Sequence, residues 1–151
     1  MHDCSQGEAV NTTLLLRIAA LIALLFALGH SGGAPWTPSE EASATSVVAA
    51  MKSVSFDVVG SNRSYWDFYF GFGVGLSIYL FAQAAFLWLL AALAKTQPAA
   101  VRPFVVVLLA ANVANGVVLW RYFFVIPQVF AAVLIACLAL ALWASLRRGG
   151  S

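Results

Sequence analysis

The sequence predicts an all-α protein: a four-helix transmembrane bundle with a short amphipathic helix in its first extramembrane loop. Three observations carry this reading. Of 151 residues, 62% are hydrophobic and only 9% charged, whereas roughly a quarter of a soluble domain is charged. The apolar residues collect into four long blocks rather than short alternating runs. Each block ends at charged residues, proline or glycine, as membrane spans do. The whole chain, residues 1–151, reads as one integral membrane domain in a lipid bilayer.

The first block, residues 11–29, follows a polar, mildly acidic stretch from Met1 to Val10 and is interrupted only by Arg17. As a helix it is about 28 Å long, close to one hydrocarbon core. Arg17 lies near its start, from which a long side chain reaches back to the interface. Arg17, the apolar run Ile18 to Phe26 and Ala27-Leu28-Gly29 also follow the order of a secretory signal, whose removal would leave three spans. Asp3 and Glu8 argue for a retained span, because a signal's leading region is basic.

His30 to Ser64 is the one long polar connection. Thr37-Pro38-Ser39-Glu40 combines a cap, a proline at the first helical position and an acid three residues on. It predicts a helix over about residues 38–54, with Val47, Met51 and Val54 on one face, lying on the membrane surface or lidding the bundle. Phe56 to Asn62, containing Gly60, then turns the chain back.

Ser64 as cap and Asp67 at the third position start the second span, residues 66–94. Its uncharged part makes a helix of about 40 Å, longer than the core, so tilt or protrusion is expected. A short basic turn, Lys95 to Pro103, leads to a third span over residues 104–124. Pro127 and Gln128 fall in a tight reversal, and an aliphatic fourth span over residues 129–146 ends at Arg147 and Arg148. Basic residues favour the cytoplasmic side. Arg17, Lys95, Arg102, Arg147 and Arg148 against Lys52, Arg63 and Arg121 therefore predict both termini in the cytoplasm. Trp36, Trp66, Trp120 and Trp143 fall near span ends as an aromatic belt does, while Trp88 sits further along its span.

Several function classes lack their parts. The net charge of +2 comes from scattered residues, so nucleic acid is not an expected partner. Cys4 and Cys137 form neither a disulfide framework nor a zinc pattern, and no cofactor or metal site is predicted. The glycines around Gly71 to Gly75 are not a phosphate loop, since no strand precedes and no Lys-Ser/Thr follows. Hydrolase and metalloprotease motifs are absent from the sequence. The glycosylation patterns at Asn11 and Asn62 crowd the membrane surface and read as chance.

In the expected topology His30, Asp67 and Arg121 share the outer level, brought there by three spans. Charges at this depth are costly and usually paired, so an Asp67 to Arg121 ion pair is expected. His30 is the member able to exchange protons near neutrality. Each residue also has a structural reading: Asp67 as a helix-start acid, Arg121 reaching to headgroups, His30 in a glycine-rich interfacial loop. Gly71 and Gly75 share a face with Asp67 and suit close packing against the third span or, as the alternative, a contact between copies. Asn112, Asn115 and Gly116 share a side of the third span. With Ser77, Tyr79 and Gln83 of the second, they are expected to face the bundle interior, either as helix-to-helix hydrogen bonds or as a polar pocket. Arg121 is about 180° around the helix from Asn112, which weakens a single-cavity arrangement.

The motif Gly29-His30-Ser31-Gly32, then Met51, Phe56-Asp57, Gly60, Arg63-Ser64-Tyr65-Trp66-Asp67-Phe68-Tyr69 and Gly71-Phe72-Gly73, resembles a family of small bacterial four-span membrane proteins of unassigned function. It covers the first half of the chain, the second half agreeing only in hydropathy, and Ser31 stands where that family is expected to carry Thr. More loosely, the architecture is similar to the DoxX-like and emopamil-binding-like groups. The resemblance implies the four-span fold and a bacterial inner-membrane location, and it supplies no reaction. Three functions remain in view. The first is binding or handling of a lipid or small amphipathic ligand in an outward pocket lined by His30, Asp67, Arg121, Asn112 and Asn115. The second is a structural subunit docking through Gly71/Gly75 or the fourth span, and the third is a small enzyme moving protons through His30.

Overall fold

The computed structural model describes residues 3–33, 37 and 40–147, with side chains from residue 12 onward in the first helix. Its elements are α1 (Asp3–Gly32), α2 (Ala42–Ser53), β1 (Ser55–Val58), β2 (Ser61–Ser64), α3 (Tyr65–Leu93), α4 (Arg102–Tyr122) and α5 (Val125–Leu146). Four stretches are long and apolar enough to cross a membrane: Thr12–Gly32, Tyr65–Leu93, Arg102–Tyr122 and Val125–Leu146. The chain is thus an all-α, multi-pass membrane protein. Two compact units divide it, one made of Met1–Phe26 with Phe81–Ser151 and the other of Ala27–Leu80.

The first unit is a four-helix bundle whose core draws on every span. Ala19 and Ala23 of α1, Leu87 and Ala91 of α3, Val105 of α4 and Leu138 of α5 are all buried in it. The many alanines matter because lipid tails are as apolar as leucine, so helix association relies on close backbone approach and on polar links. Gln83 Nε2 donates to Asn112 Oδ1 (3.1 Å), and Asn112 Nδ2 donates to Leu108 O (2.8 Å), tying α3 to α4. At the other end of α4, Arg102 Nη2 donates to Ser145 O of α5. Arg17 lies 5.5 Å from the Trp88 ring centroid. That contact accounts for a tryptophan set away from the belt: its quadrupole stabilises the cation.

The reversal between α4 and α5 is tighter than the sequence suggested. Only Phe123 and Phe124 separate the helices. Pro127 falls inside the first turn of α5, where its missing N–H is one that would have no intrahelical partner anyway. Gln128 Nε2 reaches back to Phe123 O (2.8 Å), supplying a donor to the carbonyl that ends α4.

In the second unit α2 begins at Ala42, later than expected, with Glu41 as an extended N-cap that makes no side-chain cap bond. Pro38 and Ser39 of the expected capping motif lie outside the described residues. The face also differs. Ala44, Val48 and Met51 are half-buried, whereas Val47 and Val54 are exposed. Lys52 Nζ sits 4.8 Å from the Trp66 ring centroid, tying the end of α2 to the start of α3.

Where the sequence suggested only a turn, an antiparallel hairpin forms, pairing Phe56 with Arg63 and Asp57 with Asn62. Its tip is Val59-Gly60, both at positive φ (52° and 78°), the mirror-image turn that matches strand twist. Gly60 N–H donates to Asp57 Oδ1 (3.1 Å), which fixes the turn. A β-branched residue in the left-handed region is strained by roughly 1–2 kcal/mol. Val59 is 99% exposed and gains no packing in return. Replacing Val59 with Asn or Gly is therefore expected to raise stability by about 1 kcal/mol in a detergent thermal melt. An unchanged or lowered melting temperature would contradict the strained turn.

Candidate functional site

The first turn of α3 is built by a reciprocal cap. Ser64 N–H and Ser64 Oγ–H both donate to Asp67 Oδ2 (2.7 and 2.9 Å), and Asp67 N–H donates to Ser64 Oγ (3.2 Å). Asp67 is thus the helix-start acid that the spacing indicated. Its carboxylate is engaged locally by Ser64, and in the other unit the Arg121 guanidinium lies 5.4 Å from the centroid of the adjacent Tyr122 ring. The seryl cap supplies the carboxylate with two donors from within its own turn.

The same turn receives the hairpin. Phe56 packs on Tyr65 and Phe68 with ring centroids 4.9 and 5.3 Å apart. Arg63 is the cross-strand partner of Phe56, so their side chains share one face of the hairpin. Below them runs an open groove of about 620 Å³ lined by Arg63, Asp67, Phe68, Gly71, Phe72, Gly75, Leu76 and Tyr79. From Asp67 to Tyr79 it follows α3 for about 18 Å. A Cβ added at Gly71 or Gly75 meets no atom within 4 Å, so these glycines form the open floor of the groove.

Close packing belongs instead to the neighbouring stripe. His30 Nε2 lies 3.2 Å from Gly73 O and Ser31 Oγ donates to Ser77 Oγ (3.0 Å), joining the end of α1 to α3. A carbonyl can only accept, so His30 carries its proton on Nε2 in this contact. Gly73 is about 160° around α3 from Gly71, at 100° per residue, so His30 meets the face away from the groove. Small residues at 73 and 77 let the two helices meet closely. The sequence carried this signal in the same glycine run, one register over from the pair it drew attention to.

The five residues expected in one pocket are divided between the two units. His30 and Asp67 belong to the Ala27–Leu80 unit, on different faces of α3; Asn112, Asn115 and Arg121 belong to the other unit. Asn112 is buried and its amide is used by Gln83 and Leu108. Asn115 is exposed, contrary to the expectation that it faces the interior. The buried stripe of α4, Val105, Asn112 and Leu119, is narrow, and Asn115 lies about 60° off it. Of the polar residues expected inside α3, Ser77 is buried and Gln83 is bonded, while Tyr79 is 76% exposed beside the groove. Arg63, which sequence reasoning passed over, lines the mouth; the signal was its position between a glycine turn and the Ser64 cap. Among the described residues no cluster of three or more His, Cys, Asp and Glu side chains could hold a metal ion.

The arrangement is an apolar channel along one helix with a guanidinium and a capped carboxylate at one end, in a four-span membrane protein. Comparison with protein-family models, curated proteins and solved structures finds no match to this chain. Because the floor is open, Gly71→Ala and Gly75→Ala are expected to leave stability unchanged or to raise it by up to about 1 kcal/mol, Ala being the better helix former. Ser77→Leu, on the face that meets α1, is expected to destabilise by about 1–3 kcal/mol through overpacking. Thermal melts of the three variants in detergent check this contrast, and equal destabilisation by all three would contradict the assignment of the two faces.

Proposed function

We propose that this protein binds a lipid or small amphipathic molecule in the α3 groove, with an anionic group at Arg63 and the apolar part along Phe68, Phe72 and the bare backbone at Gly71 and Gly75. The observation that carries the reading is the groove itself: about 620 Å³ of mostly apolar space opening beside a guanidinium. Ligand sites have this character, a largely hydrophobic lining with a few placed polar groups and a volume of roughly 300–1,000 Å³. Arg63 Nη1 donates to Asn62 O (2.8 Å), which leaves further N–H groups of the fork for a carboxylate or phosphate. A bacterial inner-membrane location with both termini in the cytoplasm belongs to the same proposal, supported by the distribution of Lys and Arg. The groove then opens toward the outer leaflet.

The test is mass spectrometry of lipids retained after gentle purification of the wild-type chain, Arg63→Ala, and a variant carrying Gly71→Leu with Gly75→Leu. The leucine pair fills the groove without meeting other atoms at its Cβ positions, so loss of the retained amphiphile with an unchanged melt is the expected result. Arg63→Ala is expected to weaken retention of anionic species by roughly 10-fold to 100-fold, the worth of a charge-assisted hydrogen bond. An identical lipid complement in all three proteins would overturn the proposal.

A further inference from the structure

We propose that α4 is a self-association surface through which two copies of this chain pair side by side in the membrane, with Asn115 of each copy hydrogen-bonded to the other. Of the four spans α4 is the least covered by its own chain, with 17% of its apolar window buried against 33% or 44% for the others. Beside its buried stripe runs a second seam: Phe104, Leu108, Ala111, Asn115, Val118 and Tyr122, separated by alternating steps of four and three. That spacing keeps residues on one side of a helix that crosses a partner at about 20°, the left-handed geometry of coiled coils and of most membrane bundles. Leu108 is half-buried and the other five are exposed.

The seam is apolar except at Asn115, which is exposed and about 20 Å along a helix of about 32 Å. Hydrocarbon offers an amide no hydrogen bond, and leaving one bare there is costly. Gln83 and Leu108, which serve the neighbouring Asn112, do not serve Asn115. Its position in a four–three seam is where a single asparagine fixes register between paired helices.

The occupant that fits is a second copy. An amide is both donor and acceptor and therefore complements itself. Two copies inserted the same way around and related by a two-fold axis along the membrane normal hold Asn115 at equal depth with no adjustment. Ala111, one turn away, is small enough for the backbones to approach. Another membrane protein would have to supply a polar group at this depth, and a lipid chain would leave the amide bare.

The test uses the full-length chain in lipid bilayers, labelled with donor or acceptor fluorophores, with energy transfer followed against the protein-to-lipid ratio. Asn115→Leu is expected to lower the association constant roughly threefold to tenfold, with Asn115→Gln retaining most of it. Val113→Leu, on the opposite side of α4, is expected to leave it unchanged. Disulfide trapping gives a second readout that does not depend on tolerance of Asn115→Leu. In a chain carrying Cys4→Ser and Cys137→Ala, A111C, N115C and V118C are expected to cross-link, and V106C, V113C and V117C are not. A chain that stays monomeric at every ratio, an Asn115→Leu variant that associates as well as wild type, or cross-links concentrated at 106, 113 and 117 would each overturn the proposal.

Discussion

The structure depends on one constraint: hydrocarbon neither donates nor accepts a hydrogen bond. Every polar group held at membrane depth must find its partner in protein, and the backbone does so by closing into helices. Several polar side chains follow the same rule. Gln83 donates to Asn112, Asn112 to a carbonyl in its own helix, Arg102 to the end of α5, and Gln128 to the last carbonyl of α4. Two cations lie on aromatic faces, Arg17 on Trp88 and Arg147 on Trp143, 3.6 Å from its centroid. Each contact also fixes which helices meet and at what register.

Small residues decide how closely they meet. In α3 the run Gly71-Phe72-Gly73-Val74-Gly75 presents two stripes with different fates. The Gly73 and Ser77 stripe receives the end of α1, while the Gly71 and Gly75 stripe stays bare and becomes the floor of a groove. The hairpin supplies what a groove of glycine and phenylalanine lacks, a guanidinium at its mouth. Phe56 packs on the first turn of α3, and strand pairing puts Arg63 opposite it. A short polar loop thus turns an apolar surface into one with a charged and a greasy end.

The spans were legible because long uncharged runs allow one solvent only, and the Ser64 and Asp67 cap was legible because its two partners are three residues apart in sequence. The hairpin was not, since Ser55 to Val58 alternates over only four residues, Ser61 to Ser64 is polar throughout and Val59 is a poor residue for its turn; only Gly60 marked the reversal. The site was legible only in part. Asp67 and the glycines stand out in the sequence, but a periodic pattern says which residues share a face and not what that face meets. For that reason Gly71 and Gly75 were expected to pack, Asn115 was expected inside beside Asn112, and Asp67 was assigned a cation from another span when two donors lay in its own cap. Arg63 was missed because its place over the groove comes from pairing with Phe56, which no helical periodicity contains.

The central claim is that four stretches of this chain have lipid as their solvent. Hydrogen–deuterium exchange of the full-length protein in lipid bilayers tests it most directly. Amides in 14–32, 67–93, 104–122 and 127–146 should stay protected for hours, while those in 40–64 exchange quickly. A chain that stays compact and monomeric in water without lipid or detergent, or spans that exchange as fast as the 40–64 connection, would contradict it.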